Sequence, residues 1–128
     1  MILDKQLMWS DSQVVSANGN STDQIDLRAA TSLYGENRMF PFLTIVAKSG
    51  TGPSLQVKLV GADDSGFSTN AITVFDTGVK ADPALGDFPI GGSPASRRFW
   101  RLEYTVGGTT PSFTIVAGLV ADKQSKPL

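Results

Sequence analysis

The chain has 128 residues, of which 18% are charged and 41% are apolar, and its formal net charge is −1 at pH 7. This length fits one folded domain, and the charge balance argues against binding to nucleic acid through a basic surface. Cysteine and histidine are both absent, which excludes disulfides, thiolate nucleophiles, Ser-His-Asp catalysis and His-ligated metals, so we predict a protein that is not an enzyme, has no catalytic residues and needs neither cofactor nor metal.

Strand patterns recur along the chain, whereas no window keeps apolar residues at helical spacing. Residues 54–60 alternate cleanly, with Leu55 and Leu59 on one face. Pro41 interrupts a β-branched and aromatic run, and because proline cannot donate to a ladder it indicates an edge or the start of a strand. In chain order, these predicted strands cover residues 13–17, 25–28, 39–47, 54–60 and 72–75.

The clearest alternation lies in residues 97–106. One face carries Trp100, Leu102, Tyr104 and Val106, and the other carries Arg97, Phe99, Arg101, Glu103 and Thr105. A second strand-like segment follows at residues 112–121. We predict that the two segments form a hairpin whose loop covers residues 107–111.

Clusters of Gly, Pro, Asn and Asp separate the predicted strands. Many short strands with frequent turns are typical of antiparallel sandwiches, so we predict an all-β, antiparallel jelly-roll sandwich of about eight strands. Residues 1–128 are expected to form one domain, with an N-terminal arm at about 1–9 and a short polar C-terminal tail at 123–128. No signal-peptide pattern is present, and the longest apolar run, at 115–121, is far shorter than the roughly 20 residues of a membrane span.

The N-terminal arm is the first candidate contact surface. It carries Met1, Ile2, Leu3, Met8 and Trp9, and Met and Trp are enriched at protein interfaces. The alternative is an ordinary first strand whose apolar residues are buried in the protein's own core, and one strand could serve both purposes.

The second candidate is the basic and aromatic stretch that contains Arg97, Phe99 and Arg101. If Trp100 points inward, Phe99 points outward between two arginines, which is typical of an interface hot spot. The alternatives are a solvated face on which Arg101 pairs with Glu103, or stacking of single-stranded nucleic acid, which the net charge disfavours.

Asp63 and Asp64 form a third candidate, because adjacent carboxylates on a loop can bind calcium. Their spacing does not match the alternating ligands of a calcium-binding loop. We therefore expect an Asx-type turn at this position.

Four segments resemble one known family. They are MILDKQLMWSDSQ at the start, IDL at 25–27, GADDSGFS at 61–68 and RRFWRLEYTV with FTIVAGLVAD near the end. Together they resemble the capsid cement (decoration) proteins of tailed bacteriophages, of the Bordetella-phage type, over nearly the whole chain. The resemblance implies a small jelly roll on the outside of an icosahedral shell, where it bridges neighbouring major capsid subunits.

The expected function is therefore that of a structural virion protein, made in the bacterial host cytoplasm and located on the outer capsid surface. Its expected partners are the major capsid protein of the same phage and further copies of itself, as a dimer or trimer, with no direct nucleic acid and no membrane. The alternative is a carbohydrate-binding jelly-roll module, in which Trp9, Trp100 or Tyr104 would stack on a sugar ring.

Overall fold

The computed structural model describes residues 8–31, 40–91 and 96–120, and eight β-strands account for the regular structure in these ranges. The strands vary widely in length, from two residues to 24 residues. In chain order they are β1 Met8–Val15, β2 Gly19–Asn20, β3 Ile25–Thr31, β4 Phe40–Ala62, β5 Ile72–Asp76, β6 Lys80–Ala81, β7 Gly86–Asp87 and β8 Arg97–Val120.

All eight strands belong to one open antiparallel sheet built around β4 and β8. The short strands β1, β2 and β3 pair with the free side of β8, and β5, β6 and β7 pair with the free side of β4. The prediction of an all-β, antiparallel protein is confirmed. Pro41 is the second residue of β4, which confirms its placement at a strand start.

The predicted hairpin at the end of the chain is wrong. Residues 97–106 and the described part of the second segment, 112–120, do not pair with each other, because both belong to the continuous strand β8, which pairs with β4 from Phe99 to Val120. Gly108 adopts a φ of 106° and lets the backbone bend there without reversing. Strand β4 is also continuous, although residues 39–47 and 54–60 were expected to form two separate strands. Gly50, with a φ of 110°, provides its bend.

One hydrophobic core is shared by the two ends of both long strands. Leu43 and Ile45 come from the first end of β4, and Leu55 and Leu59 from the other, yet all four belong to the same buried cluster. The sheet therefore folds over at its bends, so that the inward faces of its two halves pack together. The largest fully buried side chains of this core are Trp9, Trp100, Tyr104 and Phe113.

Candidate functional site

The candidate site is a patch on the outward face of β8 that we call the basic–aromatic face, defined by Phe67, Arg97, Phe99 and Arg101 together with the guanidinium of Arg98, which lies over the Phe99 ring although its Cα has the parity of the inward face. Trp100 and Leu102 are fully buried in the core. Because successive side chains of a strand point to opposite faces, Phe99 and Arg101 lie on the other side of the sheet. The predicted division of this strand into a core face and an outer face is confirmed.

Phe67 reaches the outer face from the loop that joins β4 to β5. It packs with Val60 and Ala62 in a small second cluster, against which Phe99 rests half-buried. Phe67 is only 8% exposed. Its ring and that of Phe99 form the apolar floor of the face, and the three arginines surround this floor.

The Asp64 carboxylate holds this loop in shape. Its oxygens accept hydrogen bonds from the backbone N–H groups of Ser68 and Thr69, at 2.9 and 2.8 Å, and from the Ser68 hydroxyl. These bonds, that of Thr69 above all, lower the pKa of Asp64. These hydrogen bonds reach residues four and five positions along the chain, whereas an Asx turn bonds the residue two positions along, so the loop is wider than the expected Asx-type turn. Within it Phe67 adopts a φ of 55°, which bulky residues rarely adopt.

Two arginines of the face are held by carboxylates and lie against aromatic rings. Arg98 donates two hydrogen bonds to Asp26, at 2.7 and 2.9 Å, and these bonds raise the pKa of the guanidinium. Its Cζ lies 4.8 Å from the centre of the Phe99 ring. Arg101 binds Glu103 at 2.9 Å, which is the pairing that the alternative of a solvated face predicted, and its Cζ lies 4.2 Å from the centre of the Phe67 ring.

Arg97 is held by backbone carbonyls. Its Nε donates to the oxygen of Asn70 and its Nη1 to that of Ser96, both at 2.8 Å. All three arginines are thus fixed before any partner arrives, although the side chain of Arg98 remains 45% exposed. Asp26 and Glu103 already neutralise Arg98 and Arg101, whereas the described part of the chain holds Arg97 through carbonyl oxygens alone. The face therefore offers one preorganised cation, Arg97, beside an apolar floor, and it is suited to a protein surface that presents a carboxylate beside an apolar group.

The structure corrects the N-terminal candidate at two positions. Met8 is 5% exposed and Trp9 is fully buried, as residues of β1. The alternative of an ordinary first strand therefore describes them, and neither side chain is available to a partner. Trp9 is buried in the core because its indole has the largest apolar surface of any side chain in the N-terminal arm. Met1, Ile2 and Leu3 lie outside the described residues.

The aromatic side chains considered for sugar stacking are also buried. Trp9 and Trp100 are fully buried, and Tyr104 is 1% exposed. Burial raises the pKa of the Tyr104 phenol, whose oxygen lies 2.8 Å from the hydroxyl of Ser10. None of the three can present a ring face to a sugar.

The sequence did not reveal one member of the site and one pairing within it. Phe67 was noted only as part of an acidic loop, and no periodic pattern in that loop marks it as a residue of the outer face. The pairing of Arg98 with Asp26 joins positions 72 residues apart in the chain. No local pattern could have shown it.

No protein family matches the chain, and no curated protein matches it in sequence. In residues 8–31, 40–91 and 96–120 there is no helix long and apolar enough to cross a membrane. The same ranges contain no group of three or more acidic residues that could hold a metal ion. What the protein does must therefore be inferred from its own surfaces.

Proposed function

We propose that the protein is a capsid cement protein, which binds the outside of an icosahedral phage shell and links neighbouring major capsid subunits. The resemblance of four segments to this class suggests the role. The observation that carries it is the basic–aromatic face, a preorganised contact surface on a densely packed sheet. A cement needs such a surface and a rigid body, and it needs no catalytic group.

The proposed architecture is a single jelly-roll domain over residues 1–128. A folded sheet with one shared core supports it, because the two halves of a jelly roll also pack face to face. Arg97, Phe99 and Arg101 are the proposed shell contacts. Met1, Ile2 and Leu3 remain predicted contact residues. Met8 and Trp9 are no longer proposed as contacts, because both are buried.

The protein would act as a cement because its binding is thermodynamically coupled to the assembly of the shell. A protein that binds the assembled shell but not loose subunits stabilises the shell by mass action. Many copies on one lattice, each touching two subunits, gain from effective concentration, so moderate contacts are sufficient.

Cosedimentation with empty expanded phage shells tests the proposal. Wild-type protein is expected to bind with saturable occupancy. Arg97→Ala should weaken binding about tenfold or more, as expected for a truncated hot-spot residue. Lys48→Ala is the matched control, because it removes a cation that is likewise held by hydrogen bonds but lies on the first half of β4, whereas the face packs against Val60 and Ala62 at the other end of that strand. Shells that take up no protein at saturating concentration would rule the proposal out.

A further inference from the structure

A second surface, away from the basic–aromatic face, is an open groove of about 620 Å³ beside β5, β6 and β7. Its apolar lining includes Phe75, Val79, Pro83 and Phe88. Val79 is 67% exposed, and Leu85, next to the lining residue Ala84, is 57% exposed. Large apolar side chains this exposed beside a concave surface are characteristic of an unoccupied interface.

The groove follows an open edge of the sheet. Strands β6 and β7 are only two residues long, and in the described part of the chain each pairs with β4 alone. The outer side of these two strands faces no further strand of the described ranges, and each strand offers only two residues for pairing. Two carboxylates, Asp76 and Asp87, line the groove against one cation, Lys80, so a segment with a positive charge is favoured.

Residues 1–7 of this chain have the complementary pattern. When a segment is extended, alternate side chains share a face, so Met1, Leu3, Lys5 and Leu7 lie together and Ile2, Asp4 and Gln6 lie opposite. The first face offers three apolar side chains and one cation. It matches an apolar groove lined by two carboxylates.

The direction of β1 favours a second copy as the source of this segment. Met8 lies opposite Gly118, and β1 runs from there toward Phe113, so its start points toward the Val120 end of β8. Strand β7 lies beyond β8 and β4, about 14 Å across the sheet. A segment that continues β1 in its own direction therefore runs along the sheet, and its seven residues, at most about 25 Å long, could reach the groove of their own copy only by turning across the sheet.

We propose that this groove binds residues 1–7 of a second copy of the chain, with Met1, Leu3, Lys5 and Leu7 facing into it. The contact joins copies of the protein and does not rest on shell binding. Its test therefore uses the purified full chain without shells, and its failure leaves the cement proposal untouched.

Two pairs of variants test the contact by sedimentation velocity over a range of protein concentrations. Leu3→Asp places a carboxylate on the face that enters the groove, and Ile2→Asp places it on the opposite face. Val79→Lys alters the groove, whereas Val14→Lys alters a side chain that is 62% exposed on β1. Leu3→Asp and Val79→Lys are expected to raise the dissociation constant at least tenfold, and the two controls are expected to change it less than twofold.

A mixing experiment separates this contact from misfolding. Leu3→Asp keeps an intact groove and Val79→Lys keeps an intact N-terminal segment, so a one-to-one mixture is expected to form a mixed complex that neither variant forms alone. A wild-type protein that stays monomeric at every concentration would overturn the proposal. So would a mixture that stays monomeric, or a Val79→Lys variant that associates as tightly as wild type.

Discussion

The indole Nε1 of Trp9 donates a hydrogen bond of 2.9 Å to the carbonyl oxygen of Trp100. Trp9 lies on β1, which pairs with residues 113–118 of β8, whereas Trp100 lies near the opposite end of that strand. The bond therefore links β1, which pairs with one half of β8, to the other half of β8. It does so between two residues whose side chains are both fully buried.

Trp9→Phe should destabilise the protein by about 2–3 kcal/mol, because it removes a buried hydrogen bond and leaves a small cavity. The measurement is the free energy of unfolding in urea. Val14→Ala is the control, since it shortens an exposed side chain on the same strand and should change the stability by less than about 0.5 kcal/mol. Equal stabilities for Trp9→Phe and wild type would contradict this role of the indole.

Trp100 also explains why residue 61 is glycine. Gly61 lies opposite Trp100 in the ladder, and a Cβ added at residue 61 would come within 2.8 Å of the indole ring. Gly61→Ala should cost about 1–3 kcal/mol through overpacking. Gly19→Ala is the matched control, because a Cβ there meets no atom within 4 Å. If both substitutions shift the urea midpoint equally, the ring does not require this glycine.

The sequence was sufficient for the local pattern of this fold. Alternation in residues 97–106 correctly separated core from surface, because period-two burial is visible in any single strand. The predicted strands at 25–28 and 72–75 lie within β3 and β5. Strands β2, β6 and β7 were missed because each has only two residues, too few to show alternation.

The sequence alone could not show which distant residues pair with or contact each other. A glycine with positive φ can reverse a chain or bend it, and only the pairing of Gly107 with Ser54 and of Thr109 with Thr51 shows that β8 bends. The candidate site shows the same limit. Arg97, Phe99 and Arg101 were correctly placed on one outer face, whereas the burial of Trp9 depends on its contact with the distant Trp100.

The bend at Gly108 gives a further prediction. A Cβ at Gly108 would lie 2.5 Å from the carbonyl oxygen of Gly52, and the φ of 106° is itself unfavourable for other residues. Gly108→Ala should therefore cost at least about 2 kcal/mol, the sum of backbone strain and a steric clash. Gly78→Ala measures the cost of a positive φ without a clash, because Gly78 has a φ of 71° and no neighbour within 4 Å of an added Cβ.

Urea denaturation of both glycine variants measures the difference. Gly78→Ala is expected to lose only about 1 kcal/mol, the usual cost of a side chain in the left-handed region. A Gly108→Ala variant no less stable than Gly78→Ala would show that the close approach of β4 and β8 at the bend does not constrain residue 108.

Asp64 should make the stability of its loop depend on pH. Hydrogen bonds from Thr69 and Ser68 lower its pKa below the ordinary value of 3.8, so the carboxylate stabilises the folded loop above that value. This contribution is lost as the pH falls through the lowered pKa, because the protonated group accepts those bonds poorly. Asp64→Ala should therefore lower the urea midpoint at pH 7, and the difference from wild type should shrink in acid.

Asp64→Asn is the informative companion variant. An asparagine side chain keeps an oxygen that can accept from the N–H groups of Ser68 and Thr69, and it carries no charge to titrate. We expect it to retain part of the wild-type stability and to lack the acid-dependent part. If wild type and Asp64→Ala lose stability in parallel at every pH, the carboxylate does not hold this loop, and the position of Phe67 on the basic–aromatic face must depend on its packing alone.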